Sequence, residues 1–224
     1  MIAFFADNHF KARPGHELHQ RLKDRYEITF HEDDLGPLPE ALADPKCELL
    51  MLNWISDTSG NAHPGAGIEA PLKAWVEAGK PVLLVHGASA AFHAWDWWRA
   101  MTGLRWVRGG DPDGFASSTH PVRPYSVRVS KTRHPLAKQL REFDLPKDEI
   151  YIELEQTCPV SVLMETTTEE GTYPQAYVCA TPWGGTVGGF IPGHAPHAFE
   201  NTLLVDNVAA LINYLISAPP GARQ

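Results

Sequence analysis

The chain has 224 residues, with 19 Lys and Arg against 27 Asp and Glu and a formal net charge of −8. Its hydrophobic share of 43% and charged share of 21% exclude wholesale disorder and fit a single globular domain. An acidic chain without a basic block is a poor partner for nucleic acid or for an anionic membrane.

Ile2 to Ala6 is an apolar run that reads as a buried strand. The opening MIAFFADNHF lacks the basic segment of a secretory signal, so a cytoplasmic protein is expected. His16 to Arg25 has helical apolar spacing. Tyr26 to His31 alternates as a second strand, closed by the turn-rich DDLGPLPE. Glu48 to Trp54 is a third strand, of the continuous apolar kind found in parallel sheets. A polar loop with Asp57 and His63 follows, then the amphipathic helix IEAPLKAWVEAGK.

Pro81 to Val85 (PVLLV) is the strongest strand signal. It runs into His86-Gly87-Ala88-Ser89 and an aromatic helix, AAFHAWDWWRAM. This β–α alternation predicts an α/β fold: a flavodoxin-like three-layer sandwich with a mainly parallel sheet. Val107 to Pro124 reads as a long loop, a type that is often functional. Short strand-like pieces follow: YSVRVS, DEIYIELE and VSVLMETT. A hairpin then turns at Gly184-Gly185, and a helix spans Asn201 to Ile216. No interdomain linker is visible, so residues 1–217 form one expected domain and 218–224 a tail. No stretch of about 18 apolar residues is present, so no membrane span is expected. The Trp-rich helix leaves room for a homodimer.

Three cysteines, Cys47, Cys158 and Cys179, show no CxxC spacing and suggest buried thiols. Eleven histidines point instead to imidazole chemistry. In doubly wound sheets, ligands sit at the carboxyl ends of the strands. The strand–His86–Gly87 junction is such a place. The helix expected after it would add free N–H groups and a partial positive charge.

The tract GKPVLLVHGASAAF resembles the nucleophile turn of class I glutamine amidotransferases, with His86 where those enzymes carry cysteine. Glutaminase chemistry needs a thiolate, so that activity is argued against. Four ordered signals are similar to the ThuA-like (trehalose utilization) family, which uses the same scaffold. They are His86-Gly87 through Trp98, His120-Pro121, His134-Pro135-Leu136 ahead of Phe143 and Asp148-Glu149-Ile150-Tyr151, and Gly193-His194. Ala195 follows Gly-His here, where the family usually has an acid nearby; Glu200 is the first one.

The resemblance implies a carbohydrate substrate, a sugar or keto-sugar. It also implies that His86 and His194 face each other across one crevice, with His120 at the rim and Asp148 or Glu149 as carboxylate. His86, His120 and His194 are therefore the expected catalytic residues. They are also the candidate ligands of a divalent metal such as zinc. Metal-free acid–base work is the other chemistry open to them. Ser89, Trp95, Asp148, Glu149 and His197 are candidate substrate contacts, and Ser89 is a weaker candidate nucleophile. Trp95, Trp97 and Trp98 fit core packing at least as well. His134-Pro135 fits a turn, and His93 a backbone contact. His9 and His31 fit strand ends near the crevice, though solvated or core roles suit them better, as they do His16 and His19. An enzyme of sugar catabolism and a non-catalytic sugar-binding or complex-forming subunit both remain open. Convergence of the imidazoles separates them.

Overall fold

The computed structural model describes residues 1–56 and 62–217. Asp57 and the tail at 218–224 lie outside the described residues. Eleven strands form one nine-stranded sheet and one two-stranded ribbon. Strands β1 (Ile2–Ala6), β2 (Ile28–Glu32), β3 (Leu49–Asn53) and β4 (Val82–Val85) fall on the expected runs. The small strand β5 (Leu104–Arg105) pairs with β8 (Glu155–Gln156). Strands β6 (Val122–Val129), β7 (Phe143–Glu149), β9 (Ser161–Thr167), β10 (Thr172–Ala180) and β11 (Thr186–Phe190) come from the second half.

The large sheet has the order β2-β1-β3-β4-β11-β10-β9-β6-β7. From β2 to β11 every neighbour is parallel. This is the flavodoxin-like order, with β11 in the fifth place. From β11 outward the pairs are antiparallel, so the second-half strands extend the parallel core.

Strand alternation explains the layers. Ile2, Phe4, Ala6, Leu49, Met51, Leu83 and Val85 face one core. That core is covered by α1 (Pro14–Leu22) and α5 (Thr202–Ser217). In α5, Leu204, Val208, Leu211, Ile212 and Leu215 recur at helical spacing and are all buried. Ala3, Phe5, Leu50, Leu52, Val82 and Leu84 face the other core, under α2 (Leu38–Ala43) and α3 (Ala66–Glu77). Among the described residues, no helix is long and apolar enough to cross a membrane.

Three sequence expectations change. Residues DDLGPLPE were read as a turn, yet Leu38–Ala43 forms α2, started by Pro37 and Pro39. The expected helix AAFHAWDWWRAM is a 3-10 turn (His86–Ala90) followed by the short α4 (Asp96–Arg99). Its aromatic side chains pack on one another instead of along a helix face: Phe92 stacks on Trp95 at 4.5 Å and meets Trp98 edge-on at 5.0 Å. The strand expected at DEIYIELE lies earlier, as β7, and Ile150 to Leu154 run irregularly along the pocket side.

Candidate functional site

Three turns at the carboxyl ends of the parallel strands β1, β4 and β11 meet above the sheet. After β1, Asp7-Asn8-His9 turns sharply, and His9, Phe10 and Lys11 all have positive φ (45°, 56° and 72°). Left-handed backbone costs a non-glycine residue roughly 1–2 kcal/mol, so local bonds must hold this turn. Asp33 accepts from the Asn8 amide N–H at 2.8 Å and from its side chain at 3.1 Å. Buried Asp7 accepts from the N–H of His9 at 3.1 Å and of Ile55 at 2.6 Å, joining the ends of β1 and β3.

After β4, His86 also has positive φ (45°), which swings its ring off the strand and over the crevice. Gly87 is needed beside it: a Cβ there would lie 2.6 Å from Ile55 and 2.8 Å from His9. After β11, Gly193 (φ 111°) turns the chain so that His194 faces back toward β1 and β4. Asp148, at the end of β7, pins that turn. It accepts from the N–H groups of Gly193 (2.7 Å), His194 (3.0 Å) and Ala195 (3.2 Å).

Three imidazoles converge as a result. Nε2 of His9 is 3.0 Å from Nδ1 of His194, and Nε2 of His86 is 3.3 Å from the same nitrogen. Glu149 Oε2 lies 3.3 Å from His194 Nδ1 and 3.5 Å from His86 Nε2. Its other oxygen accepts from His120 Nδ1 at 3.0 Å. The Tyr151 hydroxyl donates to His86 Nε2 at 2.9 Å. His86 in turn gives its Nδ1 proton to the Ile191 carbonyl at 2.8 Å, which fixes the tautomer.

Burial dominates the electrostatics. It pushes His194 down to about 4, helped by the neighbouring His86 ring and opposed by Glu149. Burial also lowers His9, partly offset by Asp7. Glu149 is pushed up by burial, but His86, His194 and His120 outweigh this and hold it below the usual carboxylate range. His194 is therefore a neutral imidazole and Glu149 an anion near pH 7.

His9, His194 and Glu149 line a cavity of about 270 Å³ together with Phe10, Ile55, Trp106, Arg108 and Tyr151; His86 is buried and does not itself line it. The long loop supplies the far wall of the cavity. Arg105 and Arg99 hold that loop through Asp111, Asp113 and Glu155. Ser118 Oγ bridges the Val107 N–H and the Glu153 carbonyl. Trp106 packs against His120 and Tyr151, at 5.4 and 4.7 Å between ring centres.

A family model described as "ThuA: Trehalose utilisation" matches residues 7–215. The chain belongs to the ThuA family. Among solved structures, a ThuA-like protein from Parabacteroides merdae ATCC 43184 superposes with TM-score 0.74 at 14% identity, covering 97% of this chain and 91% of that one. A second, from Bacteroides uniformis ATCC 8492, gives TM-score 0.71 at 14% identity over 100% and 94%. The sheet also recurs, at TM-score 0.58 and 9% identity, within 31% of the length of a β-galactosidase from Bacillus circulans sp. alkalophilus. At these identities the likeness is one of fold. A search of curated protein sequences finds no relative of the chain.

The ThuA resemblance placed His86 and His194 on opposite sides of one crevice, and they are in contact here. His120 does line the cavity, but its ring reaches the cluster only through Glu149, and its side chain is 55% exposed. His9, read from sequence as solvated or core, takes the place expected for His120. Asp148 anchors backbone, and Glu149 is the carboxylate in the cluster. Ser89 is buried beneath the pocket, which removes it as an exposed nucleophile. Trp95 belongs to the core under α3, stacked on Phe92 and Trp97; the aromatic wall is Trp106. His197 bonds the Lys147 carbonyl at 2.9 Å, and His134 caps a turn at Leu136 N–H. Neither lines the cavity. His9, Trp106, Arg108 and Tyr151 were missed as site residues. Only His9 carried a signal: it lies three residues past a strand, at the carboxyl edge.

Proposed function

We propose that this ThuA-family protein is an enzyme acting on a carbohydrate, a sugar or keto-sugar, in the pocket over His9, His86 and His194. The family's description as trehalose utilisation supports the substrate class. The convergence of three imidazoles and an anionic carboxylate at the cavity floor supports catalysis over passive binding. A sugar ring lying against Trp106 would present its hydroxyl or carbonyl oxygens to that floor. Glu149 and His120 then offer a paired proton acceptor at the wall, and the neutral imidazoles below orient the reacting oxygen. Among the described residues no cysteine lines the cavity, which supports a reading other than glutaminase chemistry.

The test is turnover on a panel of disaccharides, hexoses and their keto forms, with Glu149→Gln and His194→Gln alongside. One substrate should be consumed, and each variant should lose roughly 10²–10⁴-fold in turnover with an unchanged melting profile. Tight sugar binding without turnover would favour the non-catalytic subunit. Ammonia release from glutamine would overturn the scaffold argument.

A further inference from the structure

The geometry points to a divalent transition-metal site formed by Nε2 of His9, Nε2 of His86 and Nδ1 of His194, with Glu149 Oε2 beside the last two. This deepens the reading above: it rests on that pocket being the working site, but not on the sugar.

The first argument is spacing. Four ligands about 2.0–2.1 Å from one zinc stand about 3.3 Å apart at the corners of a tetrahedron. Four of the six corner-to-corner distances are 3.0 Å (His9 to His194), 3.3 Å (His86 to His194), 3.3 Å (His194 to Glu149) and 3.5 Å (His86 to Glu149). One nitrogen from each of the three rings lies within 4.8 Å of the others.

The second argument is proton accounting. The Ile191 carbonyl can only accept, so His86 carries a proton on Nδ1, and in the neutral ring the Nε2 lone pair faces inward. Asp7 Oδ1, 3.7 Å from His9 Nδ1, favours the same tautomer in His9. His194 Nδ1 then faces two imidazole lone pairs and a carboxylate oxygen with at most one proton to offer. Tyr151 supplies one further hydrogen, to His86. The cluster is rich in electron pairs and poor in protons. A cation satisfies all of them at once.

The third argument is the supporting shell. Metal-binding histidines commonly give their second nitrogen to a carbonyl or a carboxylate. The Ile191 carbonyl stands in that position for His86, the Asp7 carboxylate lies 3.7 Å from His9 Nδ1, and His120 holds the far oxygen of Glu149. Three imidazoles with one carboxylate suit zinc or a similar borderline ion better than calcium or magnesium.

The experiment is calorimetric titration of chelator-stripped protein with zinc, paired with cobalt(II) titration followed in the visible. One zinc per chain should bind, wild-type melting should rise with zinc, and cobalt should give the intense bands of a four-coordinate ion. His9→Gln and His194→Gln should lose stoichiometric binding. Asp7→Asn should weaken it about 10–100-fold, and His120→Ala should keep one site. Less than about 0.1 zinc per wild-type chain, a pale six-coordinate cobalt spectrum, or wild-type affinity in folded His9→Gln would each overturn the site. Zinc binding without sugar turnover would sink the sugar reading and leave the metal site standing. Full turnover by a zinc-free wild-type chain would do the reverse.

Discussion

The two halves of the sheet contribute different chemistry to one pocket. The parallel half ends in the imidazoles: His9 after β1, His86 after β4 and His194 after β11. The antiparallel half adds what holds and surrounds them: Asp148 and Glu149 at the end of β7, Tyr151 just beyond, and Trp106 with His120 on the loop between β5 and β6. A parallel sheet edge alone is an open crevice. Acids brought against it from an added sheet turn that crevice into a walled pocket with a fixed proton inventory. The division of labour is physical. Turns after parallel strands aim side chains upward, while the flanking strands reach across them.

The most disruptive way to break that division is Asp148→Ala. It strands three backbone N–H donors around Gly193 to Ala195. At about 1–3 kcal/mol for each unsatisfied buried group, the loss should exceed about 3 kcal/mol in urea unfolding. A loss below about 1 kcal/mol would mean that the added half does not hold His194.

Gly193→Ala follows. A Cβ there would lie 2.6 Å from Phe199 Cζ, at a φ that only glycine adopts freely. We expect about 1–3 kcal/mol of destabilisation, read from the same curves, with a larger proportional loss of turnover as His194 is re-aimed.

Much of the parallel half was legible in the sequence. Continuous apolar runs such as ELLMLNW and PVLLV can only be buried strands, and His86-Gly87 sits at the end of one. The rest was not legible, for identifiable reasons. His9 looked like one of several scattered histidines, because its place depends on left-handed backbone held by Asp7 and Asp33, which no periodicity reports. Trp95 took the core place that the sequence also allowed it, and Trp106, given no role from sequence, lines the cavity, because sequence shows aromatic content and not which cluster collapses inward. Glu149 ranked equal with Asp148 until the register of β7 set one toward the imidazoles and the other toward the Gly193 turn.

The two tryptophans give a sharper contrast. Trp106→Ala should weaken substrate binding about tenfold while costing little stability, since only pocket stacking is lost. Trp95→Ala should do the opposite, losing about 3–5 kcal/mol of stability with binding intact in the folded fraction. Paired affinity and unfolding measurements decide this, and equal effects on both would erase the distinction.

Tyr151→Phe removes one hydroxyl hydrogen bond to His86 and keeps the ring packing. It should cost about 1 kcal/mol in unfolding experiments. The smallest expected effect lies outside the pocket. His134 accepts from Leu136 N–H through Nδ1, and burial lowers it from the usual 6.5. The unfolded chain therefore binds that proton more readily. The stabilisation is complete above about pH 6.5 and declines as pH falls toward the lowered folded value. The drop in urea midpoint between about pH 7.5 and 5.5 should be smaller in His134→Gln than in the wild type.

The central claim is that three imidazoles from three parallel strands share one point. It is tested most directly by anomalous diffraction from zinc-soaked crystals. The account predicts a single strong peak within bonding distance of His9 Nε2, His86 Nε2 and His194 Nδ1. Zinc bound elsewhere with that point vacant, or the three rings splayed apart, would contradict it.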